Sequence, residues 1–340
     1  MPEPDRILLD ARLAVRGLGI GTFVDRLIGG FGEAGIPAPD LWRAKQGPGG
    51  SIAAGTATGI LARSGLFDLS PRLDPRTRSY DVVHFACNVG PVFPGRASVL
   101  TVHDLLHRRT HRTRYRALGR MLERSMQHAG QVVAVSANTR DEVVTAFPAL
   151  KGRVQVIPHG LRRLPLPGLP REHILCFGGA ADPRKRIDLM VDIYGEYRTG
   201  TTDALPLVVL ARAGLTQAQR GNLQRQGANI FENASAAEVD DLMGRAAALL
   251  YTSIDEGFGL PILEAAELGT PVVMDASARV ATEVVGAHCV MAEDGTLSCW
   301  VEALRRATSM GAVPGALDLA GWPEVAAEYL DVYRRVSDDG

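Results

Sequence analysis

Short, nearly unbroken apolar runs alternate along this chain with stretches whose apolar residues recur at helical spacing. In the first half the runs fall at residues 7–9, 82–85, 99–102, 132–135 and 154–157. In the second they fall at 174–177, 207–210, 248–251 and 272–274. Their length and largely apolar character fit strands buried on both faces, the habit of parallel sheets. Residues 22–31, 114–128 and 187–194 have a helical pattern, so the order of elements predicts βα units and a parallel sheet in each half. Residues 47–50 read as a loop, and residues 161–170, with three prolines and a glycine, as a hinge. A last helix is expected over 323–336, with Val325, Tyr329, Val332 and Val336 on one buried face.

Composition then sets bounds. A length of 340 residues allows two domains of ordinary size, each with its own core. The net charge of −1 gives no general attraction to nucleic acid. Cys87, Cys176, Cys289 and Cys299 are scattered without close pairs, which argues against a disulfide framework or a zinc site. The first residues lack the basic-then-apolar pattern of a signal peptide, and no apolar run is long enough to cross a bilayer. The expected location is cytoplasmic.

One segment carries most of the chemistry. Glu256-Gly257-Phe258-Gly259-Leu260-Pro261-Ile262-Leu263-Glu264 follows the apolar run ending at Tyr251 and leads into a helix closed by Gly269-Thr270-Pro271. Glu256 is thereby expected on a loop at the carboxyl edge of a parallel sheet, where open α/β folds bind ligands. Pro261 suits the first helical position, which puts Glu264 in the first turn beside unpaired backbone N–H groups. Those N–H groups attract phosphate, and the glycines admit a ligand close to the backbone. Carboxylates repel phosphate and so are expected to serve uncharged hydroxyls. A diphosphate flanked by hydroxyl-rich rings, as in a nucleotide sugar, fits both demands.

This segment resembles the Glu-x7-Glu signature of retaining glycosyltransferases of family 4, which have the GT-B fold. Further segments resemble the same family in order along nearly the whole chain: the first strand and glycine loop at 7–12 and Gly19-Ile20-Gly21-Thr22-Phe23, and the strand and histidine at Val99-Leu100-Thr101-Val102-His103. Residues 133–136 and 154–160 resemble the strands before the hinge, residues 177–185 the phosphate-binding turn of the second domain, and residues 322–330 the terminal helix. The resemblance is strongest to mannosyltransferases of polysaccharide assembly. It implies two Rossmann-like domains with a deep interdomain cleft and a C-terminal helix that returns to the N-terminal domain. It places an acceptor-binding domain at 1–164, a donor-binding domain at 165–321 and the returning helix at 322–340.

The resemblance also assigns roles. Glu256, His103 and Lys185 are the expected catalytic residues. The donor is expected to contact Gly19, Gly21, Arg184, Lys185, Glu256, Gly257, Phe258, Gly259, Leu260, Ile262 and Glu264, with Glu256 on the transferred sugar and Glu264 on the ribose. Lys185 is one of only three lysines in an arginine-rich chain and falls before a helical stretch, where a cation opposes the helix dipole. Its expected task is to offset charge on a departing diphosphate. Gly179 and Ala180 stand where family members often carry an arginine, and Arg184 is the candidate substitute. No Asp-x-Asp occurs in the chain, so no metal and no other cofactor is expected. The expected donor is GDP-mannose, with dTDP-rhamnose and UDP-glucose as alternatives, and the expected acceptor is a glycan or a lipid-linked acceptor.

Other readings were set against these. Gly17-Leu18-Gly19-Ile20-Gly21 has Thr22 in the last glycine's place of a dinucleotide fingerprint, so NAD fits poorly. His103-Asp104-Leu105-Leu106-His107 loosely resembles a zinc motif but begins at a strand end rather than on a helix. Arg108, Arg109, Arg112, Arg114, Arg116, Arg120 and Arg124 form a basic patch that suits peripheral contact with the inner face of a membrane, an anionic acceptor, or plain solvation. Only Tyr115 interleaves it, which argues against nucleic acid. The two functional rivals are a nucleotide-sugar epimerase of the same fold and a non-catalytic nucleotide-sugar-binding partner.

Overall fold

A computed structural model of the chain describes residues 6–14, 19–43, 79–88, 90, 97–105, 113–164, 170–178, 185–211, 214–254, 258–276, 278, 285–313 and 317–338. The chain divides into two compact units, Met1–Gly160 with Ala320–Gly340, and Leu161–Leu319. The first division falls before residues 164 and 165 because Arg162 and Arg163 already belong to the second unit, where they pair with Asp240 and Glu267.

The first unit contains a six-stranded parallel sheet. Its strands are β1 (Ile7–Asp10), β2 (Asp40–Trp42), β3 (Val82–Phe85), β4 (Ala97–Val102), β5 (Gln131–Ala134) and β6 (Val154–Val156), in the order β2-β1-β3-β4-β5-β6. Its helices are α1 (Gly19–Glu33), α2 (Thr113–His128), α3 (Ala137–Ala146) and, from the far end of the chain, the last helix. The second unit repeats the plan with β7 (His173–Phe177), β8 (Leu207–Leu210), β9 (Asn229–Phe231), β10 (Ala246–Tyr251), β11 (Val272–Asp275) and β12 (Cys289–Ala292), in the order β12-β11-β10-β7-β8-β9. Its helices are α4 (Ile187–Thr199), α5 (Gln217–Arg225), α6 (Ala236–Gly244), α7 (Leu260–Glu267) and α8 (Leu297–Met310). The closing helix is α9 (Trp322–Asp338).

Every strand expected from an apolar run is present within two residues at either end. The three that the pattern omits, β2, β9 and β12, lie at sheet edges and are partly exposed. β2 and β9 each begin on a polar residue and show no continuous apolar run, so periodicity passes over them, whereas β12, Cys289-Val290-Met291-Ala292, is apolar throughout. Central strands are buried throughout, as in β4 and β10. The apolar face of α8 brings Trp300 and Leu304 into the second unit's core with Ile174, Leu250 and Val273.

Strand order locates the ligand edge of each sheet. In the second unit the chain moves from β7 outward through β8 and β9, then returns to the other side of β7 with β10. The loops after β7 and β10 therefore leave the sheet in opposite directions, which opens a crevice between their carboxyl ends. In the first unit the corresponding switch lies between β1 and β3.

Helix α9 belongs to the first unit, although it ends the chain. Its expected face is buried at Val325, Tyr329, Val332 and Val336. A Cβ at Gly30 of α1 would lie 2.3 Å from the Trp322 carbonyl oxygen, so only glycine permits this approach of α1 and α9. Beneath the helix runs a buried polar chain. His84 Nδ1 is 2.7 Å from the Tyr333 hydroxyl, His84 Nε2 is 2.7 Å from Thr101 Oγ1, and Thr101 Oγ1 is 3.0 Å from the Tyr329 hydroxyl. His84 is thus structural. Tyr333→Phe would strand a buried imidazole nitrogen and is expected to lower stability by about 1–3 kcal/mol, measured by urea unfolding; an unchanged midpoint would show that the chain contributes nothing.

Candidate active site

The residues after β10 and β7 build the carboxyl edge of the second sheet. Gly259 caps α7 with φ 80° and ψ 54°, a left-handed conformation that explains the glycine. The helix starts at Leu260, so Pro261 is its second residue rather than its first. Glu264 is consequently the fifth helical residue, one place beyond the first turn expected for it. The left-handed glycine turns the chain into the helix one residue earlier than the proline signal suggests. Pro261 has no N–H, and the Ile262 N–H is taken by the Gly259 carbonyl at 2.9 Å. Leu260 presents the first N–H of the helix, which has no intrahelical partner by construction. Phe258 and Ile262 are buried side chains that support this turn.

Glu264 is 7% exposed and points toward a cation that sequence reading left in the hinge. Arg162 Nε lies 3.8 Å from Glu264 Oε1, while the same guanidinium grips both oxygens of Asp240. Arg171 is comparable but structural: it donates to the carbonyls of Ala246 and Leu268, at 2.7 and 2.8 Å, which ties the end of α7 to β10. A guanidinium's five donors suit such multi-point contacts. Nothing in a one-dimensional pattern marks which arginine of an arginine-rich chain will do so.

Lys185 arrives from β7. Its Nζ lies 3.2 Å from the Tyr251 hydroxyl and 5.0 Å from the centre of that ring. Its carbonyl accepts a bond from Thr252 Oγ1 at 2.6 Å. The ammonium is thus tied to the end of β10, across the switch point from its own strand. Arg186 follows in a left-handed conformation with φ 48°, pairs with Asp275 at 3.1 Å, and caps α4. Sequence reading missed Tyr251; the available signal was a hydroxyl-bearing aromatic closing an otherwise aliphatic strand. Arg184, Glu256 and Gly257 lie outside the described residues.

In the first unit, His103 follows β4 and is 6% exposed. Its Nε2 lies 3.0 Å from the Ala86 carbonyl, and only a protonated nitrogen can donate there. Nδ1 is then the lone-pair nitrogen. Phe23 meets the ring edge-on at 4.9 Å, and His159 does so at 5.5 Å. Burial lowers the His103 pKa to about 4, so the ring is neutral. Since residues 103–105 are not helical, the histidine spacing of a zinc motif has no shared helical face here, and His107 lies outside the described residues. Among the described residues no group of three or more His, Cys, Asp or Glu side chains is arranged to hold a metal.

Gly19 and Gly21 are the first and third residues of α1, not a loop ahead of it. The apolar face of Phe23, Val24, Leu27 and Phe31 carries the helix back through both glycines. A Cβ at Gly19 would meet nothing within 4 Å, so packing does not demand glycine there. Of the basic patch, Arg120 and Arg124 are exposed on α2; Arg108, Arg109 and Arg112 lie outside the described residues, as do the side chains of Arg114 and Arg116. Among the described residues no helix is long and apolar enough to cross a membrane.

These two parallel-sheet units, with a terminal helix returned to the first, define the GT-B class of glycosyltransferase folds. Sucrose-phosphate synthase from Thermosynechococcus elongatus has the same fold, with a TM-score of 0.72 at 15% identity over 98% of this chain and 100% of that one. Residues 54–162 match the model of Glycosyltransferase Family 4, and residues 171–309 match that of Glycosyl transferases group 1. The chain belongs to this glycosyltransferase family. Among curated relatives it is similar to the O-antigen chain mannosyltransferase RfbU of Salmonella typhimurium, 24% identical over 45% of this chain and 44% of that protein. It is also similar to the MMP alpha-(1->4)-mannosyltransferase of Mycolicibacterium hassiacum, 26% identical over 63% of this chain and 56% of that protein. The chain therefore spans about half the length of the curated relatives it matches.

Proposed function

We propose that this protein is a retaining hexosyltransferase that moves a hexosyl group, mannosyl in the first instance, from a nucleotide diphosphate sugar to an acceptor hydroxyl in glycan assembly, without a metal. The observation that carries the reading is the placement of Lys185 and the glycine-capped start of α7 on the loops that flank the β7/β10 switch point. One supplies a fixed positive charge and the other a helix N-terminus, the two features a diphosphate requires.

In this reading the acceptor oxygen bonds to the anomeric carbon as the bond from that carbon to the diphosphate breaks. The acceptor's proton passes to a phosphate oxygen of the leaving group, on the same face, which preserves the anomeric configuration. Lys185 and the Leu260 amide take up the charge gathering on the diphosphate. Glu256 orients the sugar hydroxyls and favours positive charge at the anomeric carbon, while Glu264 holds the ribose. His103, neutral and with Nδ1 as its lone-pair nitrogen, is suited to accept from a sugar hydroxyl rather than to bind phosphate. Because the ammonium stands in for a cation, a chelator is expected to leave the rate unchanged. The reading extends to a glycan or lipid-linked acceptor, and to a cytoplasmic protein whose segment 108–124 meets the inner face of a membrane.

The test begins with GDP, UDP and dTDP in a thermal-shift panel. The matching nucleotide at a hundredfold its Kd is expected to add about 2.7 kcal/mol of stability. GDP-mannose, UDP-glucose and dTDP-rhamnose are then assayed with EDTA present. Acceptor-dependent release of the nucleotide supports the proposal. Conversion of a donor to its epimer without acceptor would replace it with an isomerase, and binding without turnover of any donor would replace it with a non-catalytic partner.

A further inference from the structure

Asn88 follows β3 and has φ 59°, a left-handed backbone that few residues other than glycine adopt. Asparagine is among those that tolerate it, and here its amide is used. Oδ1 accepts from the His103 backbone N–H at 2.6 Å, and Nδ2 is oriented toward the Asp104 carbonyl at 3.4 Å. The backbone N–H of Asn88 donates to the Thr101 carbonyl at 3.2 Å. One residue therefore spans the last turn of chain from β4 and takes up an N–H beyond the end of the β4 ladder. Two residues earlier, the Ala86 carbonyl accepts from His103 Nε2 at 3.0 Å. The short segment 86–88 thus holds His103 at both its backbone and its ring.

We propose that Asn88 is a positioning residue for His103, clamping the end of β3 to the end of β4 so that the imidazole presents a single fixed nitrogen, Nδ1. This rests on the glycosyl-transfer reading above for its consequence in turnover, but not for the clamp itself. With the Asn88 bridge in place, the Ala86 carbonyl stays within reach of Nε2 and holds the proton there. Phe23 and His159 limit rotation of the ring from its edges. Without the bridge, segment 86–88 keeps only the Ala86 carbonyl's contact with the ring and the backbone bond to Thr101, and the tautomer is no longer imposed as firmly. A purely structural role would be to stabilise the turn alone. The two roles give different results.

Asn88→Gly keeps the left-handed backbone and removes the amide. With whichever of GDP-mannose, UDP-glucose and dTDP-rhamnose the wild-type protein turns over, Asn88→Gly is expected to lower kcat about ten- to a hundredfold, the range of a displaced catalytic group. The Kd of the free nucleotide should stay unchanged. In a His103→Ala background, Asn88→Gly should have no further effect, since both act through one ring. Equal losses in both backgrounds would overturn the proposal. Long-range 1H–15N NMR of the His103 ring at pH 6 provides a readout independent of turnover. The wild-type protein should show one Nε2-protonated neutral form and Asn88→Gly a mixture. A single unchanged tautomer in Asn88→Gly would overturn the clamp even if no donor reacts, whereas a wild-type protein inert toward every donor counts against the glycosyl-transfer reading alone.

Discussion

Lys185→Ala should lower kcat by about a hundred- to a thousandfold, the usual loss when one group stabilising developing charge is removed. The expectation follows from where the ammonium is held. Tyr251 is 2% exposed and closes a wholly buried strand, so its hydroxyl is a rigid support 3.2 Å from Nζ. Thr252 bonds to the Lys185 carbonyl and fixes the backbone of the same residue. The charge is therefore placed before the reaction begins and needs no reorganisation when the diphosphate departs. Negative charge on that group is larger in the transition state than in the bound donor, so the loss should fall on kcat more than on KM. Lys185→Arg should recover part of the rate and not all of it, because a planar guanidinium does not reproduce a compact point charge. Steady-state release of nucleotide, with the melting temperature as a control for folding, makes the comparison. A Lys185→Ala rate within a few-fold of wild type would remove this residue from the mechanism.

Acidification between pH 6.5 and 4.5 should destabilise the first unit steeply, before most carboxylates titrate. Burial holds the pKa of His84 down to about 3 and that of His103 down to about 4. His159 is lowered too, first by burial and then by the nearby charges of His103 and Arg26. All three are neutral in the folded protein, and each takes up a proton near pH 6.5 once unfolded. The unfolded chain thus binds more protons across this window, so stability is complete above about 6.5 and declines as the pH falls toward the folded values. Each histidine contributes a slope of about 1.4 kcal/mol per pH unit. Three together approach ~4 kcal/mol per unit, against a typical total of about 5–15 kcal/mol. Calorimetry at half-unit intervals should show the melting temperature falling throughout this range. A flat profile would mean that these rings are accessible to protons in the folded state.

Much of the local structure around β10 and α7 was legible in the sequence. A run such as 246–251 fits a strand in a sheet interior, and Gly259-Leu260-Pro261 fits the start of a helix. The starting residue of α7 was misjudged by one place because Gly259 and Pro261 both signal a start and the chain obeys the first. The partners of the charged groups were not legible. Glu264 read as a group awaiting a ribose, yet Arg162 stands 3.8 Å from it, brought there by a segment far earlier in the chain. Edge strands β2 and β9 carry no apolar signal for a different reason: being partly exposed, each begins on a polar residue and lacks the apolar continuity of a central strand.

The sequence by itself determined the alternation of buried strands and amphipathic helices, the membership of a glycosyltransferase family, and the glycine that opens α7. These are properties of local pattern, set by backbone hydrogen bonding and by which face of an element must leave water. Only the tertiary structure decided that Lys185 leans on Tyr251, that Arg162 reaches Glu264, and that Asn88 accepts from the His103 backbone N–H. Strand order brought those groups together, and strand order depends on how distant segments pair. No local period encodes that pairing.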